Sequence, residues 1–213
     1  MTSNLELFLL PLVVLIAATA LGVVLRLPSV RGGFGEHLVD RALRKGLDGR
    51  DYRIFSDLLL PTTDGTTQID HVVVSRFGVF VIETKNMRGL IVGSVRDAQW
   101  TQYRGRRRYP FQNPLRQNYR HAKAVEQALG VSEREIVPLV VFAGHCRFHR
   151  NIEGHVTLVE ALASTIRRHE TPRFSADVVG DLCARIERAR VDHRPGARRE
   201  HVAALKRKHG RTS

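Results

Sequence analysis

Cysteine is scarce in this chain: Cys146 and Cys183 are the two present among 213 residues, and no Cys-x-x-Cys pair occurs. A secreted scaffold stapled by disulfides is thereby excluded. Acidic residues are also in short supply, 21 Asp+Glu against 34 Lys+Arg, which leaves a formal charge of +13 and a pI near 10.9. Of the 34 cations 29 are Arg. Such a balance says nothing about fold, but it favours anionic partners, either nucleic acid or an acidic membrane surface. Hydrophobic residues still make up 43% and charged residues 26%, so a packed core is available and wholesale disorder is excluded. At 24.1 kDa, with no internal repeat, the chain suits one domain plus an appendage.

Charge is missing altogether from Leu7 to Leu25, a run of 19 residues in which Pro11, Thr19 and Gly22 are the departures from plainly apolar character. As a helix this run would be about 28 Å long, close to the hydrocarbon core of a bilayer. Ala18-Thr19-Ala20 resembles a signal-peptidase site, but the residues before the run include no Lys or Arg, where a signal peptide carries positive charge. The cations come after it, at Arg26 and Arg31. This asymmetry predicts an N-terminal transmembrane anchor over residues 1–27. The protein is then a single-pass cell-membrane protein whose globular part faces the cytoplasm.

The rest reads as an α/β domain. Residues 28–34, with Gly32-Gly33, are expected as a linker, 35–190 as the domain and 191–213 as a basic tail, solvated or helical only on a partner. Glu36 to about Lys45 has helical spacing and ends at Gly46. Strand patterns follow at Arg53–Leu60, Gln68–Ser75, Val79–Lys85, Leu90–Val95 and Gln99–Arg104. Asn113-Pro114 supplies an N-cap and a first-turn proline for a helix that runs to Leu129 and stops at Gly130. Ile136–Ala143 is continuously apolar, as in a strand buried on both faces, and helical patterns return near Leu158–Arg168 and Ser175–Ala189.

The most informative stretch is QIDHVVVSRFGVFVIETK, residues 68–85. Two apolar runs flank a short Gly-containing connection, which reads as a β-hairpin. A turn centred between Arg76 and Phe77 sets Val74 opposite Val79, Val72 opposite Val81 and Asp70 opposite Glu83. Lys85 shares a face with Glu83, so two carboxylates and an ammonium reach one end of one face. Val73, Phe80 and Ile82 fall on one side of the hairpin and Val72, Val74, Val79 and Val81 on the other, as in a sheet covered on both faces. Opposed carboxylates at the edge of such a core repel, and burial penalises each charge further. A divalent cation compensates directly, and carboxylates plus a backbone carbonyl suit Mg²⁺ or Mn²⁺. Lys85 can neutralise the pair or polarise a water, the chemistry of metal-assisted phosphodiester hydrolysis. The plain alternative is a solvated Glu83–Lys85 ion pair at a strand end. Glu36 lies on the helix face of Val39 and Leu43 and can point inward, although an acidic residue in a first turn is favoured by the helix dipole alone.

Gly35-Glu36 opening a helix, Gln68 to Val74, Val81 to Asn86, Gln99-Trp100 and Asn113 to Asn118 together resemble the nuclease-related domain (NERD) family, over about residues 32–129. That family is placed in the PD-(D/E)xK restriction-endonuclease-like superfamily, whose core is a mixed central sheet flanked by helices. The resemblance implies that Asp70 and Glu83 bind Mg²⁺ (or Mn²⁺), with the Thr84 carbonyl as a further ligand. It makes Lys85 the catalytic lysine and Glu36 the helix-borne acid that completes the site, with Gln117 accessory although it lies off the apolar stripe Leu115–Ala122–Val125–Leu129.

The remaining features are less specific. Arg104, Arg106, Arg107 and Arg108, flanked by Tyr103 and Tyr109, can grip phosphates, as can Arg116, Arg120 and Lys123 along one helical stripe; a solvated loop and a solvated helix face are the alternatives. Cations near the apolar run and in the tail can instead attract anionic lipid. His145, Cys146, His149 and His155 lack the second ligand pair that a structural zinc site needs. The expectation is a membrane-anchored, metal-dependent endonuclease-like protein acting on DNA. Its competitor is a non-catalytic module that tethers nucleic acid at the membrane.

Overall fold

The computed structural model describes residues 28–210 apart from 151, 153, 154 and 193. The expected anchor, residues 1–27, lies outside the described residues; among those described, no helix is long and apolar enough to cross a membrane. Helix α1 (Pro28–Gly46) leads into strands β1 (Tyr52–Thr62), β2 (Gly65–Ser75) and β3 (Gly78–Lys85), then β4 (Gly89–Val92), β5 (Gln99–Arg104) and β6 (Arg107–Gln112). Helix α2 (Pro114–Leu129), β7 (Ile136–Phe142), β8 (Cys146–Phe148), β9 (Val156–Leu158), α3 (Leu162–Arg167), α4 (Ala176–Ala189) and α5 (Ala197–Gly210) follow.

The central sheet is mixed, in the order β1-β2-β3-β7-β9, antiparallel from β1 to β3 and parallel from β3 to β9. The β2–β3 register is the one the apolar pattern dictates: Val74 pairs with Val79 and Val72 with Val81. Both faces are covered. Val73, Phe80 and Ile82 pack with Val39 and Leu43 of α1 and with Leu162 and Ile166 of α3. Val72, Val74, Val79 and Val81 pack with Ala122, Val125 and Leu129 of α2 and with Leu182 and Ile186 of α4. Helix α2 has the ends its sequence implies: the Asn113 side chain accepts from Leu115 N–H, Pro114 sits in the first turn, and Gly130 takes the left-handed conformation at φ 64°.

Three parts of the chain depart from the sequence reading. Helix α1 starts at Pro28, not Glu36, and runs through Gly32-Gly33. Two glycines cost a helix about 1 kcal/mol each relative to alanine but do not forbid it, and proline is tolerated in a first turn. Strands β4 and β5 are joined by β6 and β8 in a second sheet, ordered β6-β5-β4-β8. Its core is Ile91 and Trp100, packed on Val140 and Phe142 of β7, with Trp100 stacked over Phe142 at 6.4 Å. Lastly, α5 does not hang free: His201 Nδ1 lies 2.8 Å from Thr66 Oγ1 of β2, and Arg198 pairs with Asp57 of β1 at 2.8 Å. Those ties are polar, so hydropathy patterning does not reveal them.

His71 sits at the end of the β2–β3 ladder, 1% exposed, with Nε2 3.8 Å from Asp40 of α1 and Nδ1 buried without a partner. Burial depresses its pKa from 6.5 to about 4, against the pull of Asp40. The unfolded chain therefore takes up this proton first as pH falls. His71 contributes stability that is present above pH 6.5 and lost on the way down to pH 4, by about 3 kcal/mol at most. Urea denaturation of the parent and of His71→Leu across this range should show the variant losing markedly less stability on acidification. Parallel curves would contradict the burial of a neutral imidazole.

Candidate active site

The site forms where β2 and β3 part. Their ladder ends at His71–Ile82, and beyond it the Asp70 side chain takes over: Oδ2 accepts from the Thr84 N–H at 2.7 Å. The backbone of Thr84 thus faces β2. In a strand the carbonyl of a residue points to the same side as its N–H, so this carbonyl looks into the same gap as Asp70. Strand β3 continues beside β7, with Glu83 paired to Val140 and Lys85 to Phe142. Glu83, 3% exposed, is thereby held in the sheet at its covered end.

Helix α2 closes over this end. Lys85 Nζ donates to Glu83 Oε1 at 2.6 Å and to Gln117 Oε1 at 2.9 Å. Gln117, off the apolar stripe, is therefore placed on the lysine by the flank of the helix. His121, which the sequence reading passed over, lies with Nε2 3.2 Å from Glu83 Oε2 and Nδ1 2.8 Å from Thr67 Oγ1. The Nε2–H tautomer serves both contacts, donating to the carboxylate and accepting from the hydroxyl. Asn118, which the sequence reading gave no role beyond the family resemblance, donates through Nδ2 to the carbonyls of Val81 (3.0 Å) and Leu139 (2.9 Å), which fixes the helix to β3 and β7 together. A signal for it existed: Asn118 continues the apolar stripe at i, i+4, i+7 and i+11 with Ala122, Val125 and Leu129, so a polar residue occupies a core position.

From the other face, α1 brings Glu36, half-buried. The approach needs a glycine before it: a Cβ on Gly35 would stand 2.7 Å from Asn86 Cβ and 3.5 Å from Thr84 Cγ2, just beyond the ExK strand. The carboxyls differ electrostatically. Burial works against the charge of Glu83, but the His121 hydrogen bond and the Lys85 ammonium together hold it below the ordinary carboxylate range. Asp70 is pushed well above that range, by burial first and then by Glu83, with the Thr84 N–H only partly offsetting. Glu36 is raised by burial, then by Asp57 and Glu83. Positive charge is thus sufficient around Glu83 and deficient around Asp70. Among the described residues no three His, Cys, Asp or Glu side chains stand together as a ready metal shell, and both Glu83 oxygens are taken up by Lys85 and His121.

The arginine-rich stretch is the tip of the β5–β6 hairpin, where Arg104 pairs with Arg107 across Gly105-Arg106 and Gly105 has φ 59°. Arg104, Arg106, Arg107 and Arg108 are exposed and in no ion pair among the described residues; Arg104 lies 6.0 Å from the Tyr109 ring centre. Since β6 runs into α2, the hairpin is tied to the helix that carries Gln117. On α2, Arg120 is exposed, Arg116 donates to the Arg96 carbonyl at 2.7 Å, and Lys123 is held between Glu126 (2.8 Å) and Glu133 (3.0 Å). Cys146 is buried with its thiol pushed up to about 11, so it remains a protonated core residue, and His155 bonds the Pro138 carbonyl.

A mixed sheet flanked by helices, with an acidic residue entering from the first helix and D…ExK on adjacent strands, has the layout of a restriction-endonuclease-like core. The nuclease-related domain family matches residues 31–143, and the chain belongs to that family. It is 37% identical over 169 residues to a Bacillus anthracis protein described as uncharacterized, covering 77% of this chain and 79% of that one. No solved structure matches.

The Glu83–His121 contact should be measurable as a coupling. His121→Ala leaves a buried carboxylate short of a partner and is expected to cost about 3 kcal/mol. In a cycle with Glu83→Gln, the double variant should recover about 1–3 kcal/mol relative to the sum of the single changes. Additive losses would mean that His121 does not support the Glu83 charge.

Proposed function

We propose that the protein is a membrane-anchored, Mg²⁺- or Mn²⁺-dependent endonuclease acting on DNA. The observation that carries this reading is the electrostatic imbalance just described: Asp70 is buried beside Glu83 with too little positive charge around it, and the Thr84 carbonyl opens onto the same gap. Two carboxylate groups and a carbonyl are the hard oxygen donors that Mg²⁺ and Mn²⁺ prefer. Asp70, Glu83 and Thr84 would hold the ion, with Glu36 completing the acidic rim. When bound, the ion would supply neutralising charge for a phosphodiester and lower the pKa of water. Lys85, fixed by Glu83 and Gln117, is the group that orients and polarises the attacking water. The free arginines of the β5–β6 hairpin, with Arg120, hold phosphates, so binding is salt-dependent and weakly sequence-specific. Arg116 and Lys123 are already engaged within the protein and contribute less.

Incubation of the purified chain with supercoiled plasmid in Mg²⁺, Mn²⁺ or EDTA tests the activity. Cleavage is expected with either metal, none in EDTA, and a loss of about 100-fold or more in folded Glu83→Ala and Lys85→Ala variants that still bind the plasmid. Absence of cleavage, with salt-sensitive binding unchanged in both variants, would support the tethering module instead.

The anchor reading rests on the 19 uncharged residues from Leu7 to Leu25 and on the cations that follow them. Alkaline carbonate washing of membranes should leave the chain in the pellet. Release into the supernatant would contradict it.

A further inference from the structure

Asp57 is the one non-glycine residue with positive φ among the described residues, at 55° in the middle of β1. A carboxylate side chain tolerates this left-handed backbone better than most, yet it still disfavours it. The conformation is held from two sides: Gln68 Nε2 donates to Asp57 Oδ1 at 2.7 Å, and Arg198 of α5 donates to the same oxygen at 2.8 Å and to the Asp57 carbonyl at 3.0 Å.

Its consequence is visible in both strands of the β1–β2 hairpin. The register is unbroken, with Ser56 opposite His71 and Leu58 opposite Ile69, but the Asp57–Asp70 pair between them is missing from the ladder. At that level the alternation of sides reverses. Nearer the turn, Thr67 bonds His121 of α2, and Ile69, Leu58 and Leu60 lie in the α2–α4 core. Farther from the turn, Val72 and Val74 enter that core while His71 and Ser56 face Asp40 of α1. Odd-numbered β2 residues thus face α2 before Asp70 and even-numbered ones after it. Ile69 and His71, two residues apart, consequently lie on opposite sides, which a regular strand cannot achieve, and Asp70 stands at the crossing. A local break of this kind re-aims a side chain next to a site.

We infer that Asp57 is a positioning residue: its left-handed backbone, locked by Gln68 and Arg198, turns the hairpin over and frees Asp70 to reach the Thr84 N–H. The use made of Asp70 as a metal ligand rests on the proposed function; the turn itself does not.

Three variants of the full chain separate backbone from charge. Asp57→Gly accepts positive φ without cost, Asp57→Asn accepts it readily, and Asp57→Val resists it strongly. The readouts are hydrogen exchange of the Thr84 amide, with the Val81 amide as a control on folding, and titration with Mn²⁺ alone. Asp57→Gly and Asp57→Asn are expected to keep both within about threefold, and Asp57→Val to lose about tenfold or more in each with Val81 unchanged. Asp57→Ala replaces the valine variant should that fail to fold. Retained Thr84 protection in the valine and alanine variants would overturn the inference. So would equal Mn²⁺ losses in all variants, since the carboxylate itself would then be the working group. A parent chain that binds no Mn²⁺ while Thr84 responds as expected would count against the metal reading and leave the positioning role supported.

Discussion

A carboxylate buried in the covered part of a β-sheet is the constraint around which this protein is arranged. Glu83 is part of a strand packed on both faces, so its charge cannot be left to water, and the surroundings have to supply partners. Lys85 comes from the same strand two residues on, and His121 from α2. Gln117 and Asn118 of the same helix then fix the lysine and the strand pair in turn. Removal of any of these weakens the next, because each is partly buried and has its geometry set by the others.

Asp70 shows the opposite side of the same arrangement. It lies at the point where the β2–β3 ladder stops, and among the described residues it receives one backbone N–H and only the weaker pull of Lys85. A fold that served stability alone would not leave such a group beside Glu83, since both burial and repulsion act against it. The imbalance has the sense that a bound cation would correct, and the arginines of the β5–β6 hairpin, in no ion pair among the described residues, have the sense that a polyanion would correct. Membership of the nuclease-related domain family agrees with the second.

Much of this was legible in the sequence because the hairpin is short and its apolar residues alternate on both faces. The spacing of Val72, Val74, Val79 and Val81 sets the register as far as His71–Ile82 and brings Glu83 and Lys85 to the end of β3, while Asp70 lies beyond the ladder, on the Thr84 N–H. Asn113, Pro114 and Gly130 mark the ends of α2 by their own backbone chemistry. What stayed hidden depends on side chains that meet only in three dimensions. His121 and Thr67 are 54 positions apart, and Arg198 and Asp57 are 141 apart. The polar docking of α5 leaves no hydropathy pattern, and a positive φ at an aspartate inside a strand has no spacing signature at all. The β6 strand was missed because it opens on two arginines, contains Pro110 and packs only Phe111 on the second-sheet core.

The central claim is that the gap between Asp70 and Thr84 is a cation site. The direct measurement is anomalous diffraction from crystals of the protein grown with Mn²⁺. A single peak within coordination distance of Asp70, Glu83 and the Thr84 carbonyl, with a Glu83 oxygen released from Lys85 or His121, is the result this account predicts. A map with no peak there, and with Glu83 still held by both partners, would contradict it.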